Sequence, residues 1–340
     1  MPVGTTRSDR IASFVFQRAG RKISNDIKRS EGVIAVFGAR KRIQFQDGGD
    51  QVRLRRELTE NSNVAFRAAT AQVDTNQQSN WETAFWNFAH LTGSAVLNEI
   101  EEDMNQSEFQ ISSLVEGMLD NLSHTIVRQV AGGFREVSPG AGAPESLLTM
   151  LPAIVPASQT AVFGGITRSS ATGWVSQYDV TAADLTAVAG INTLTTFIIG
   201  NLVFGAGMTE QPDFGVCDRV PFSSLMSYAT NQMRYNTDEK TAALGFRNVK
   251  FLDATLIVDP QFTALVITGT IFFINTNYCY IKVLRGPSMK TIGDEPDTLP
   301  VTIKPWGDDL DSFNRVALAR VSYNFVTNSL RRNGRKAGLT

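Results

Sequence analysis

The stretch ARKRIQFQDGGDQVRLRREL, residues 39–58, raises the question on which the architecture turns. Asp47-Gly48-Gly49-Asp50 has the composition of a tight hairpin turn. Folding the chain there predicts Phe45 facing Val52 and Ile43 facing Leu54, one apolar face. The other face would carry Arg42 opposite Arg55 and Gln44 opposite Arg53. Like charges directly opposed across two strands are destabilising, and a two-stranded ribbon is marginal in water even without them. Such a ribbon needs support from somewhere else.

Charge is polarised around this stretch. Basic residues dominate from Arg7 to Arg56, whereas from Glu57 to Asp120 the acids stand against Arg67 alone. Over all 340 residues the net charge is -1, so total charge points to no partner. The length suffices for one large or two ordinary domains. The beginning of the sequence has no apolar core of a secretory signal. The most apolar stretch, Phe262 to Ile274, falls short of the ~20 residues that span a bilayer. The expectation is synthesis in the cytoplasm and no membrane contact.

Outward from the ribbon, residues 1–30 read as a basic arm. Val33 to Phe37 and Val64 to Phe66 read as flanking strands. Ser79 with Glu82 fits a capping box opening a helix with Trp81, Phe85, Phe88 and Ala89 at helical spacing. Ser107 with Gln110 opens a second, with Ile111, Leu114, Val115, Met118, Leu119, Leu122, Ile126 and Val130 on one stripe and Gly132-Gly133 as its stop. Thr181 to Leu202 reads as helical, opening on Thr181 with Asp184. Asp218 and Pro221 announce another helix, through Phe222, Leu225, Met226, Ala229 and Met233. The last third is strand-rich: Phe251 to Asp259 and Ile271 to Leu284 are strands, and Arg315 to Val326 fits strand or helix. The class is α+β.

Chemistry is harder to find. His90 and His124 fall in expected helices with no ligand at metal spacing. Cys217 and Cys279 fit no ligand pattern and read as buried, reduced thiols. Phe163-Gly164-Gly165-Ile166-Thr167-Arg168 lacks the phosphate-cradling glycine-lysine pattern. Asp308-Asp309-Leu310-Asp311-Ser312 lacks the full calcium-loop spacing. The basic tail from Leu330 to Lys336 reads as solvated. No catalytic residue, metal or cofactor is expected.

The order of parts resembles the major capsid protein of tailed bacteriophages, the Hong Kong 97 phage-type shell fold. Several stretches carry the resemblance: the Trp81 to Val130 pair with its long spine helix from Ser107; FGGITRSSATGW, Phe163 to Trp174; GFRNVKF, Gly245 to Phe251, followed by Thr255 to Asp259; and Phe325 to Leu339 with NSLRRNGRKAGL. The resemblance implies an N-terminal arm (1–30), an extended hairpin called the E-loop (31–78), a peripheral domain (79–135 and 263–340) and an axial domain (136–262). It implies a chain that assembles with itself, as pentamers and hexamers, into an icosahedral shell around double-stranded DNA touched non-specifically. Portal, scaffolding or decoration proteins would be further partners.

In such shells the hairpin lies on a neighbouring subunit. The hairpin's expected contacts are then Arg42, Ile43, Phe45, Val52, Arg53, Leu54 and Arg55, and an acidic surface of Glu99, Glu101, Glu102, Asp103 and Glu108 offers suitable charge. Some members crosslink a lysine of this loop, and Lys41 is the only lysine between residues 31 and 78. Two other readings remain open: an encapsulin-like bacterial compartment, and an enzyme without a readable motif.

Overall fold

The computed structural model describes residues 22–27, 31–57, 63–64, 66–67, 72, 75–76, 81–98, 108–169, 173–202, 211–231, 248–265, 267–285, 299–308 and 314–340. In chain order the elements begin with α1 (Gly32–Ala39), β1 (Ile43–Asp47), β2 (Gln51–Glu57), β3 (Trp81–Asn87), β4 (Ala89–Asn98) and α2 (Glu108–Gly133). Next come β5 (Val162–Phe163), β6 (Ile166–Thr167), β7 (Gln177–Asp179), α3 (Val188–Thr196), β8 (Phe214–Cys217), α4 (Arg219–Asn231), β9 (Asn248–Phe251) and β10 (Ala254–Val258). The last are β11 (Ile271–Ile274), β12 (Cys279–Arg285), β13 (Thr302–Asp308), β14 (Asn314–Thr327) and β15 (Gly334–Lys336). Two units share them: unit 1 is Met1–Asp50, Phe88–Ser146 and Ile281–Phe325, and unit 2 is Gln51–Asn87, Leu147–Tyr280 and Val326–Thr340.

Unit 1 is a five-stranded sheet with helices. Its strand order is β1-β12-β14-β13, and β4 also pairs β14. Alternation sorts β14: Ala317, Ala319, Val321 and Tyr323 are buried, whereas Leu318 and Arg320 are exposed. Residues opposite them on β4 follow the same rhythm, Ala89 and Ala95 buried, His90, Thr92 and Ser94 exposed. Helix α2 buries Leu119, Leu122, Ile126 and Val130, each worth about 1.5–3 kcal/mol when fully covered. Its 26 residues span about 39 Å. Gly93 lets it close on β4, since a Cβ there would lie 2.7 Å from Leu122 Cδ1.

A buried ion pair joins the start of α1 to the end of α2. Glu31, the N-cap of α1, accepts from Arg135 Nη2 at 2.5 Å, with side chains 2% and 7% exposed. Phe37, Phe134, Tyr323 and Phe325 pack as an aromatic cluster in the same unit. Burial, with the Glu31 charge, pushes the Tyr323 hydroxyl well above its ordinary range. Helix α1 ends in a Schellman motif: Arg42 N donates to Phe37 O and Lys41 N to Gly38 O, each at 2.8 Å. The left-handed position, usually glycine, is Lys41 at φ 57°.

Unit 2 holds a six-stranded sheet in the order β7-β15-β11-β8-β10-β9. Cys217, Leu256, Ile271 and Phe273 from this sheet meet Leu194, Phe197, Ile198 and Leu202 in one core. Those four lie on α3 and the π-helical turn Phe197–Leu202 that continues it.

Several expectations are corrected. The ribbon of residues 43–47 and 51–57 does not form. Gly48 and Gly49, at φ 78° and 92°, turn the chain, but β1 runs parallel to β12, with Ile43 beside Ile281, and β2 pairs β3 instead. The opposed pairs Arg42/Arg55 and Gln44/Arg53 are thereby avoided. Val33 to Phe37 is helical: VIAVF is buried all round, so neither period shows. Trp81–Asn87 and Ala89–Asn98 are strands, not helix: Ala84 and Trp86 are buried between exposed neighbours. Val64 and Phe66 lie in no strand and are exposed. The 181–202 helix starts only at Val188; Asp184 accepts from Thr186 in a local turn. The tail is not solvated, since β15 sits between β7 and β11 with Lys336 fully buried. Lys336 Nζ lies 2.7 Å from Asp179 Oδ2. Met233 and residues 309–313 lie outside the described residues.

Candidate assembly ribbon

The two-stranded ribbon the sequence calls for exists between different partners. β2 and β3 pair antiparallel, Val52 with Trp86, Arg53 with Phe85, Leu54 with Ala84, Arg55 with Thr83 and Arg56 with Glu82. Strict alternation gives it two unlike faces. Val52, Ala84 and Trp86 are buried on the inner face, together with Arg56. The outer face presents exposed Arg53, Arg55 and Thr83, with Phe85 and Trp81 exposed by 45% and 56%. Thr83 and Phe85, not arginines, oppose the two cations, so the repulsion inferred across the ribbon is absent.

Support for the inner face comes from FGGITRSSATGW. β5 and β6 form a hairpin through Gly164 and Gly165, at φ 59° and 73°. Both central residues of a type I′ turn need positive φ, which suits glycine. The turn fits against β3: Phe85 N donates to Gly164 O at 3.0 Å. A Cβ on Gly164 would lie 2.5 Å from Trp86 Cζ2, and one on Gly165 2.1 Å from Phe85 Cε1. Trp86 meets Phe163 edge-on at 5.9 Å, and Trp174 Nε1 donates to Phe163 O at 2.9 Å. The Arg56 guanidinium lies 4.4 Å from the Trp174 ring centroid. Burial lowers its pKa to about 10, partly opposed by Glu82. Below the hairpin, buried Arg168 donates to Met150 O and Gln159 Oε1 and fixes the approach of the chain.

The residues singled out in the sequence are therefore divided. Arg42, Ile43 and Phe45 belong to unit 1, where Ile43 is buried and Arg285 lies over the Phe45 ring at 5.8 Å. Val52, Arg53, Leu54 and Arg55 belong to the ribbon, and of these Arg53 and Arg55 are exposed. Glu99, Glu101, Glu102, Asp103 and the side chain of Glu108 lie outside the described residues. Trp81, Phe85 and the Gly164-Gly165 saddle were missed as site residues. The period-two burial of residues 84–88 was the signal that could have found them. Lys41 ends α1 and is not on the ribbon, and residues 51–87 contain no lysine.

Elsewhere the polar clusters offer little chemistry. Cys217 and Cys279 are free and buried, and burial pushes both thiols up, Cys279 to about 12. His90 lies on β4 rather than on a helix; its Nδ1 is 2.8 Å from Ser322 Oγ, but Ser322 is buried and Arg320 also donates to that oxygen. Among the described residues no three His, Cys, Asp or Glu side chains converge as a metal cluster, and no helix is long and apolar enough to cross a membrane.

No protein-family model matches the chain, and no curated protein matches it. Solved structures do. The chain is similar to the capsid asymmetric unit of cyanophage A-1(L), at TM-score 0.63 and 12% identity, over 90% of this chain and 93% of that one. It is similar to the capsid of an empty GTA particle at TM-score 0.50 and 12% identity, over 89% and 88%. A structure of Mycobacterium phage Bobi matches at TM-score 0.50 and 11% identity, over 89% and 90%. The class is thus a capsid shell fold. Within that class, the chain has the Hong Kong 97 phage-type fold along about nine-tenths of its length.

Proposed function

We propose that this chain is the major capsid protein of a tailed phage, a structural rather than catalytic protein of the virion that assembles with itself into an icosahedral shell around double-stranded DNA. The observation that carries the reading is the β2–β3 ribbon on this fold. Its inner face is anchored within the chain, whereas its outer face presents two arginines beside two exposed aromatics. Such a face fits a neighbouring copy that supplies carboxylates and apolar cover. Residues 51–87 take the role of the reaching loop, in place of a hairpin centred on Gly48. Unit 1 serves as the peripheral domain and the six-stranded part of unit 2 as the axial domain. Portal, scaffolding or decoration proteins remain partners in this proposal.

The test is assembly of the purified full chain, followed by light scattering and electron microscopy. Closed particles or rings of five and six are expected. Arg53→Glu combined with Arg55→Glu should cut particle yield while circular dichroism stays unchanged. A chain that sediments only as monomer or dimer across salt and concentration overturns the proposal.

A further inference from the structure

Leu252 joins an uncommon backbone conformation to an exposed side chain. It sits in the turn between β9 and β10 at φ 53°, where glycine or asparagine would be relaxed, and it is 43% exposed. Of the described residues only Lys41 is another non-glycine at positive φ. A bulky apolar side chain held in that backbone state gains nothing from solvent, so the strain points to a contact the isolated chain does not make.

Its position says what kind of contact. Among the described residues β9 is one outer strand of the six-stranded sheet, and β7 is the other. Val180, next after β7, and Val188, the first residue of α3, are exposed by 59% and 58%. Each edge thus offers apolar surface. The charges complement one another as well. Exposed Lys250 flanks Leu252 on β9, and exposed Asp184 stands between the two valines. Thr186 donates to Asp184 Oδ1 through its amide at 2.9 Å and its hydroxyl at 2.6 Å. Neither Lys250 nor Asp184 has an ion-pair partner among the described residues.

We infer that the Leu252 turn of one copy seats against the Val180–Val188 edge of the next copy, with Lys250 meeting Asp184. This contact joins two different surfaces, so repetition closes a ring or extends a chain rather than making a two-fold dimer. The inference rests on the shell reading and assigns it a second contact, separate from the ribbon.

The experiment uses the full chain with Leu252→Gly and Leu252→Asn. Both should raise the thermal midpoint of the unassembled subunit, by about 2 °C. Both should also raise the concentration needed for half-maximal assembly about tenfold, equivalent to about 1.4 kcal/mol. Lys250→Glu and Asp184→Lys should each weaken assembly, and together restore at least half the lost yield. Leu252 variants that assemble at wild-type concentration overturn the inference, as does a double charge swap no better than its parts. A wild-type chain that never assembles overturns the shell reading and this inference with it. A wild type that assembles beside indifferent Leu252 variants overturns this inference alone.

Discussion

Gly164→Ala should loosen the base of the ribbon more than Gly165→Ala, although the nearest atom is farther away at Gly164. Both residues have positive φ, and placing alanine there costs roughly 1–2 kcal/mol at either site. The steric terms differ. At Gly164 the new Cβ meets the Trp86 ring at 2.5 Å, and that ring is 3% exposed and held against Phe163. Overpacking of a fixed neighbour adds about 1–3 kcal/mol, for a total of about 2–5. At Gly165 the 2.1 Å clash is with Phe85, whose ring is 45% exposed and can swing aside. There the cost stays near the backbone term, about 1–2 kcal/mol. Because Phe85 N donates to Gly164 O, exchange of the Phe85 amide reports the opening directly. Gly164→Ala should speed it about 30- to 4,000-fold at tenfold per 1.4 kcal/mol. Adding Trp86→Phe should recover part of the loss, with a coupling of about 0.5–3 kcal/mol. Equal protection in the two alanine variants, or a larger loss at Gly165, refutes the fixed-ring argument.

Lys41→Gly should stabilise the chain by about 0.5–1 kcal/mol, because glycine suits the left-handed end of α1; denaturant midpoints would detect it. Glu31→Ala leaves Arg135 buried beside Ala131 O without its carboxylate and should cost about 3–5 kcal/mol in the same assay. A loss under about 1 kcal/mol would mean that the pair is dispensable. Burial and the Arg320 guanidinium hold the His90 imidazole below its ordinary range. Its contribution to stability is therefore full above about pH 6.5 and is lost as pH falls toward the lowered folded-state value. Thermal midpoints recorded down to about pH 5 should fall less steeply in His90→Gln than in wild type.

What the sequence made legible follows from range. Helix α2 was readable because its stripe is local and Gly132-Gly133 marks its stop. Strand β10 was readable for the same reason, but its pairing with β9 came only through the family resemblance, because the turn at Leu252 carries no glycine to mark it. The ribbon was half readable. The arginine-rich strand 51–57 was found, but its partner lies beyond residue 80 and the turn at Gly48-Gly49 offered a nearer, false one. Trp81 and Phe85 misled because exposed aromatics were counted as a helix face. The basic tail misled because Lys336 is neutralised by Asp179, far away in sequence. Its carboxyl shows this: burial works to raise it, and the Lys336 ammonium with Thr181 overcomes that and holds it low.

The chain passes between its two units five times, after Asp50, Asn87, Ser146, Tyr280 and Phe325. Neither unit is one continuous segment, so no single cut of the gene isolates either. Ile43 waits for Ile281, and Gln177 waits for Gly334. Closing such loops costs entropy before any contact repays it, which makes folding slow. For the shell assembly proposed above, a slow supply of finished subunits would keep their free concentration low. Growth on existing edges would then outrun the start of new ones, and subunits would not be stranded in incomplete shells.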